Sequence, residues 1–182
     1  MRVRISGSET KSKVFFCLMF VLFFFITASV MPYVSESFAA RQISATPDLL
    51  FVLSIVCGIV YENRKAASVI ALIAGVLSDI FITPPTHMSP LLYFLAAYFA
   101  VKTVGVFTSV NAATAAVASI PFFLARAVIG TVYILSEESN ATLGVILKTT
   151  VLPELAFNVV AVFFTYIVVS FLYKRFRRRF YM

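Results

Sequence analysis

Apolar runs of helix-spanning length alternate along this chain with short polar or charged connectors. Six stand out, at residues 14–31, 48–61, 66–82, 90–107, 112–135 and 149–173. A helix crossing the hydrocarbon layer of a bilayer needs about 20 residues, with a range near 17–25. The pattern therefore predicts an all-α, polytopic membrane protein of six transmembrane helices, in one integral-membrane domain over residues 1–182. The second run is short, and Asp48 at its start is expected near the water interface, or where the membrane thins locally. The four-residue connector Glu62-Asn63-Arg64-Lys65 makes the second and third runs antiparallel neighbours. Three prolines stiffen the loop over Pro84 to Pro90, and Pro32 to Thr46 reads as a modestly polar outer loop.

Basic residues set the orientation. With both ends in the cytoplasm, the inner surface holds Arg2, Arg4, Lys11, Lys13, Arg64, Lys65, Lys102 and the tail Lys174, Arg175, Arg177, Arg178 and Arg179. The outer loops keep only Arg41 and Lys148. This is the positive-inside asymmetry, and it predicts a multi-pass protein of the cell membrane with both termini inside. The first run resembles a signal peptide in having a basic start and an apolar core. Its core exceeds the usual 7–15 residues, and Met31-Pro32-Tyr33 is not a small-residue cleavage site, so it reads as an uncleaved anchor.

Composition excludes a soluble globular chain. Hydrophobic residues make up 61% and charged residues 13%, against about 45–50% and about 25% in ordinary domains. A net charge of +7 would suit nucleic acid, but the location of the charge argues otherwise, because most of the basic residues flank apolar runs. The polybasic tail, with Phe176, Phe180 and Tyr181 interleaved, reads as a topology signal and a contact for anionic lipids. Cys17 and Cys57 lie within apolar runs and are expected to be unpaired packing residues. Asn140-Ala141-Thr142 matches a glycosylation acceptor, a pattern too common to carry weight.

Ionisable groups inside apolar runs are the candidate chemistry, since each needs a partner, water or a task. Ala67, Ala71, Gly75 and Asp79 fall four residues apart on one stripe of the third run. Small residues let backbones approach closely, so this face is expected to meet another helix and to carry Asp79 into the protein. Plain helix packing, with Asp79 hydrogen-bonded at the outer helix end, is the favoured reading of the stripe and is compatible with a specialised role for the carboxylate. Arg126 lies roughly 21 Å along the fifth run and Asp79 roughly 20 Å along the third, depths that permit an Asp79–Arg126 ion pair. Snorkelling of Arg126 to the outer headgroups is the other reading. Pro121 is expected to kink the fifth run.

Pro153 and Glu154 suit the first turn of the sixth run, with Asn158 on the same face one turn on. Asp48 follows Pro47 in the same N-terminal manner. Asp48, Asp79, Arg126, Lys148, Glu154 and Asn158 all fall in the outer half under this topology. Lys102 reads as a snorkelling anchor, and His87 stands alone without further metal-ligand residues nearby. No nucleophile with a base, phosphate loop or cofactor motif occurs, so neither catalysis nor a cofactor or metal is expected.

Several of these residues together resemble the MreD family, the small rod-shape-determining membrane proteins of bacteria. They are Pro47-Asp48-Leu49-Leu50, the basic connector Arg64-Lys65, Gly75-Val76-Leu77-Ser78-Asp79-Ile80, Tyr98-Phe99-Ala100-Val101-Lys102, and Asn158 ahead of the basic tail. About 110 residues share the likeness. The chain departs from it at Thr83 to Pro90, where the family usually has small residues and a glycine. The resemblance implies a non-enzymatic scaffold of the cell-elongation machinery in the bacterial inner membrane. Its implied partners are an MreC-like bitopic protein, a RodA-type polymerase with its class B penicillin-binding protein, and MreB filaments indirectly. The family also resembles the substrate-binding components of energy-coupling-factor transporters, which supplies an alternative, a vitamin-binding role.

Overall fold

A computed structural model describes residues 4–39, 48–61, 63–81, 88–137 and 142–181, and over these the chain is all-α. In order come α1 (Arg4–Ala39), α2 (Leu49–Val60), α3 (Arg64–Phe81), α4 (Ser89–Val104), α5 (Ala112–Glu137), the short α6 (Leu143–Ile146) and α7 (Leu152–Tyr181). A π-helical segment, Leu147–Val151, joins α6 to α7, making one helical rod from Leu143 to Phe176. Three helices are long and apolar enough to cross a membrane: Thr10–Phe38, Ala112–Ser136 and Leu143–Phe176. Helices α2 and α4 are apolar but shorter, and the 18 residues of α3 carry Arg64, Lys65 and Asp79.

α2 is the centre of the structure. Every residue from Leu50 to Gly58 is buried, so this helix is apolar around its whole circumference. It packs against α1, α3, α4, α5 and α7. Twelve residues rise only about 18 Å, less than the roughly 30 Å hydrocarbon layer. A helix enclosed by others need not match the bilayer, provided its terminal N–H groups find partners within the protein. That requirement makes the start of α2 a polar position inside an apolar molecule.

The outer helices show one buried stripe and one lipid-type face. On α1 the buried stripe is Ser12, Phe16, Phe20 and Thr27, while Val14, Leu18, Val21, Leu22 and Phe25 are exposed. α5 and α7 likewise expose Val117, Leu124, Val128 and Val132, and Val160, Phe164, Ile167 and Phe171. Apolar faces of this extent are stable against lipid and not against water. At one end of the bundle aromatic rings fasten three helices together. Phe16 stacks on Tyr61 at the end of α2 (4.9 Å) and meets Tyr173 of α7 (5.2 Å), while Phe15 meets Phe176 (5.1 Å).

α3 and α4 touch at backbone distance. A Cβ on Gly75 would lie 2.6 Å from Pro90 Cα, so only glycine fits this crossing. Ala67 and Ala71 on the same stripe are fully buried. Gly58 of α2 plays the same part against α4, where a Cβ would collide with the Ala97 carbonyl oxygen. α3 opens on an Asn63 cap, whose Oδ1 accepts the Ala66 N–H at 3.1 Å.

Several boundaries differ from the sequence expectation. α1 runs on through Pro32 to Ala39, where a loop was expected, because proline removes one N–H but leaves the following turns free to form. α4 ends at Val104, with Gly105 as its C-cap, and not near Phe107. The last rod begins at Leu143, six residues before the expected start. Pro153 cannot donate to Thr149, and the wider π turn just before it absorbs that missing bond. α5 stays helical across Pro121. Cys17 is exposed on α1 and Cys57 is buried, both as free thiols. Pro47, His87 and Asn140 lie outside the described residues.

Candidate functional site

Asp48 precedes α2 and is 4% exposed, buried in the bundle. Its Oδ1 accepts the Phe51 N–H at 2.9 Å, capping the helix. Its Oδ2 accepts the Tyr93 hydroxyl at 2.6 Å and pairs with Arg126 Nη1 at 2.6 Å. Its own N–H donates to Asn158 Oδ1 at 3.1 Å. Four helices thus meet at one residue: α2, α4 and α5 at the Asp48 carboxylate, through the cap, Tyr93 and Arg126, and α7 at its backbone N–H through Asn158.

Two further groups complete the cluster. Glu154, in the first turn of α7, reaches Arg126 Nε with Oε1 at 3.4 Å. Ser78 Oγ of α3 lies 3.2 Å from the Tyr93 hydroxyl oxygen. The Arg126 guanidinium also sits over the Phe51 ring, 5.4 Å from its centroid, which adds a cation–π attraction in a dry setting. Charged groups are expensive here unless paired and hydrogen-bonded, and Asp48 has three donors around it.

The geometry corrects the expected ion pair. Arg126 pairs with Asp48 and Glu154, not with Asp79, and it turns inward where snorkelling would take it outward. Equal depth permitted the Asp79 pairing, but direction around α3 decides against it. Ser78 is the α3 residue that faces Tyr93, while Asp79 lies 100° further round. The Asp79 Oδ1 atom is buried without a hydrogen-bond partner. Gly75 serves the α3–α4 crossing rather than the cluster. Lys148 is exposed on the π segment, and Lys102 lies at the end of α4 with its ammonium 5.2 Å from the Phe99 ring centre.

Tyr93 and Ser78 were not picked out from the sequence. The available signal was a phenol within an apolar run: a buried tyrosine needs a partner for its hydroxyl, and Asp48 opens a neighbouring span. Among the described residues no group of three or more His, Cys, Asp or Glu could hold a metal ion. Chemically, the cluster is an interlocked set of charges and hydrogen bonds that fixes helix positions. Comparisons with protein-family models, curated proteins and solved structures give no match to this chain.

Proposed function

We propose that this protein is a non-enzymatic scaffold of the bacterial cell-elongation machinery, crossing the inner membrane six times with both ends in the cytoplasm. In this role it links an MreC-like bitopic protein, and MreB filaments through it, to a RodA-type polymerase and its class B penicillin-binding partner. The motif resemblance supplies the partners. The observation that carries the scaffold reading is the saturation of Asp48, whose carboxylate takes three donors from within the chain. Such a group serves rigidity and has little capacity left for a ligand or a proton transfer.

The positive-inside pattern and three long apolar helices support a multi-pass protein. α2, enclosed by its neighbours, together with α3 and α4, which expose apolar side chains such as Ile73 and Leu91, makes up the six crossings with the three long helices. The transporter reading would have the same polar groups line a vitamin pocket, and the mutual pairing of Arg126, Asp48 and Glu154 weighs against it. The two readings part on purification from membranes with the MreC-like protein co-expressed. A scaffold retains that protein through detergent washes. A transporter component instead carries a small molecule and gains thermal stability when it is added back.

A further inference from the structure

The polar cluster is closed on one side and open on another. Asp48, Tyr93 and Asn158 are sealed, at 4%, 0% and 0% exposed. The side chains of Arg126 and Glu154 keep 16% and 20% of their surface. Among the described residues charge is unequal, with two carboxylates, Asp48 and Glu154, around one guanidinium. Asn158, fully buried one turn from Glu154, has its Nδ2 without a hydrogen-bond partner. One turn from Arg126, a Cβ placed on Gly130 would meet nothing within 4 Å, so α5 is indented beside the open edge. Among the described residues the cluster therefore has one more carboxylate than cation, with room next to its exposed part.

We infer that this open edge, at Arg126, Gly130 and Glu154, is where a membrane-spanning helix of a partner protein docks and sets a basic side chain against Glu154. An apolar partner surface would bury Glu154 with only a 3.4 Å contact to a guanidinium that Asp48 holds more closely, at considerable cost. A cationic side chain completes the charge balance, and the Gly130 indentation admits the partner backbone closely, as small residues do between helices in lipid. This rests on the scaffold reading and adds to it which face binds and what chemistry the partner brings.

Glu154→Gln tests it, because the amide oxygen still accepts from Arg126 Nε while the surplus charge disappears. The probe is the co-expressed MreC-like protein, with recovery on the purified full-length chain and thermal unfolding measured side by side. The inference expects unchanged or higher thermal stability together with partner recovery lowered about tenfold or more, the scale of a lost buried charge contact. Gly130→Leu, which fills the indentation and leaves every charge in place, is expected to lower recovery similarly. Equal recovery by wild type and both variants overturns the inference and leaves the scaffold reading standing. Failure of the wild-type chain to retain the protein overturns the scaffold reading itself. Loss of recovery with a matching fall in thermal stability also overturns the inference, since it assigns Glu154 to folding alone. So does loss of a self-associated form of this chain while partner recovery is kept.

Discussion

Replacing Asp48 by alanine removes more than one interaction, and the structure allows the loss to be apportioned. As an ionic partner Arg126 keeps only Glu154, at 3.4 Å in place of 2.6 Å to Asp48. Stranding one member of a buried ion pair costs about 3–5 kcal/mol. The Phe51 N–H loses its cap, for roughly 1 kcal/mol more. The Tyr93 hydroxyl is left with Ser78 Oγ at 3.2 Å, which limits that term. Together the substitution is expected to destabilise by about 4–6 kcal/mol, a large share of the roughly 5–15 kcal/mol typical of a folded domain. Reversible unfolding in mixed micelles measures it. Asp48→Asn keeps an oxygen for the cap and should fall between wild type and Asp48→Ala. The decisive comparison is the cycle with Arg126→Met. Because each single change strands the other residue, the double variant should be more stable than simple addition predicts, by about 1–3 kcal/mol. Additive losses, or a loss below about 1 kcal/mol for Asp48→Ala, would refute the pairing.

Other consequences are more local. Gly75→Ala and Gly58→Ala each drive a methyl group into the backbone of α4, and each should destabilise by about 1–3 kcal/mol, whereas Gly130→Ala should be neutral or stabilising by up to about 1 kcal/mol in the same unfolding assay. Tyr93→Phe removes one donor from Asp48 Oδ2 and should lower stability by about 1–2 kcal/mol, with little further effect when added to Asp48→Ala. Asp79→Asn should be neutral or stabilising, because Oδ1 has no partner to lose. A large loss on Asp79→Asn would mean that the carboxylate is engaged after all.

The all-α class and the positions of most helices were legible in the chain because lipid-compatible helices write themselves as long apolar runs. The candidate residues were legible for the converse reason: Asp48, Arg126, Glu154 and Asn158 are conspicuous against an apolar background. Pairing was not. Depth along a helix can be counted from sequence, but the direction a side chain faces depends on which helices are neighbours. That is why Asp79 and Arg126 looked matched when Ser78 is the α3 residue that faces the cluster. Tyr93 was hidden among eight tyrosines, with nothing local to separate it from an interfacial anchor. The extension of α1 through Pro32 was missed because proline removes one N–H without having to end a helix, and that of the last rod back to Leu143 because a π turn absorbs the bond Pro153 cannot make.

The proposed six crossings with both ends inside place the cluster in the outer half, and substituted-cysteine labelling tests that proposal directly. In a chain lacking Cys17 and Cys57, single cysteines replace Thr10, Ser37, Ser109 and Ser136, all exposed in the structure. Intact cells treated with a membrane-impermeant maleimide should label positions 37 and 136, while 10 and 109 react only after lysis. Labelling of 10 or 109 from outside, or protection of 37 and 136, would contradict the six-crossing arrangement.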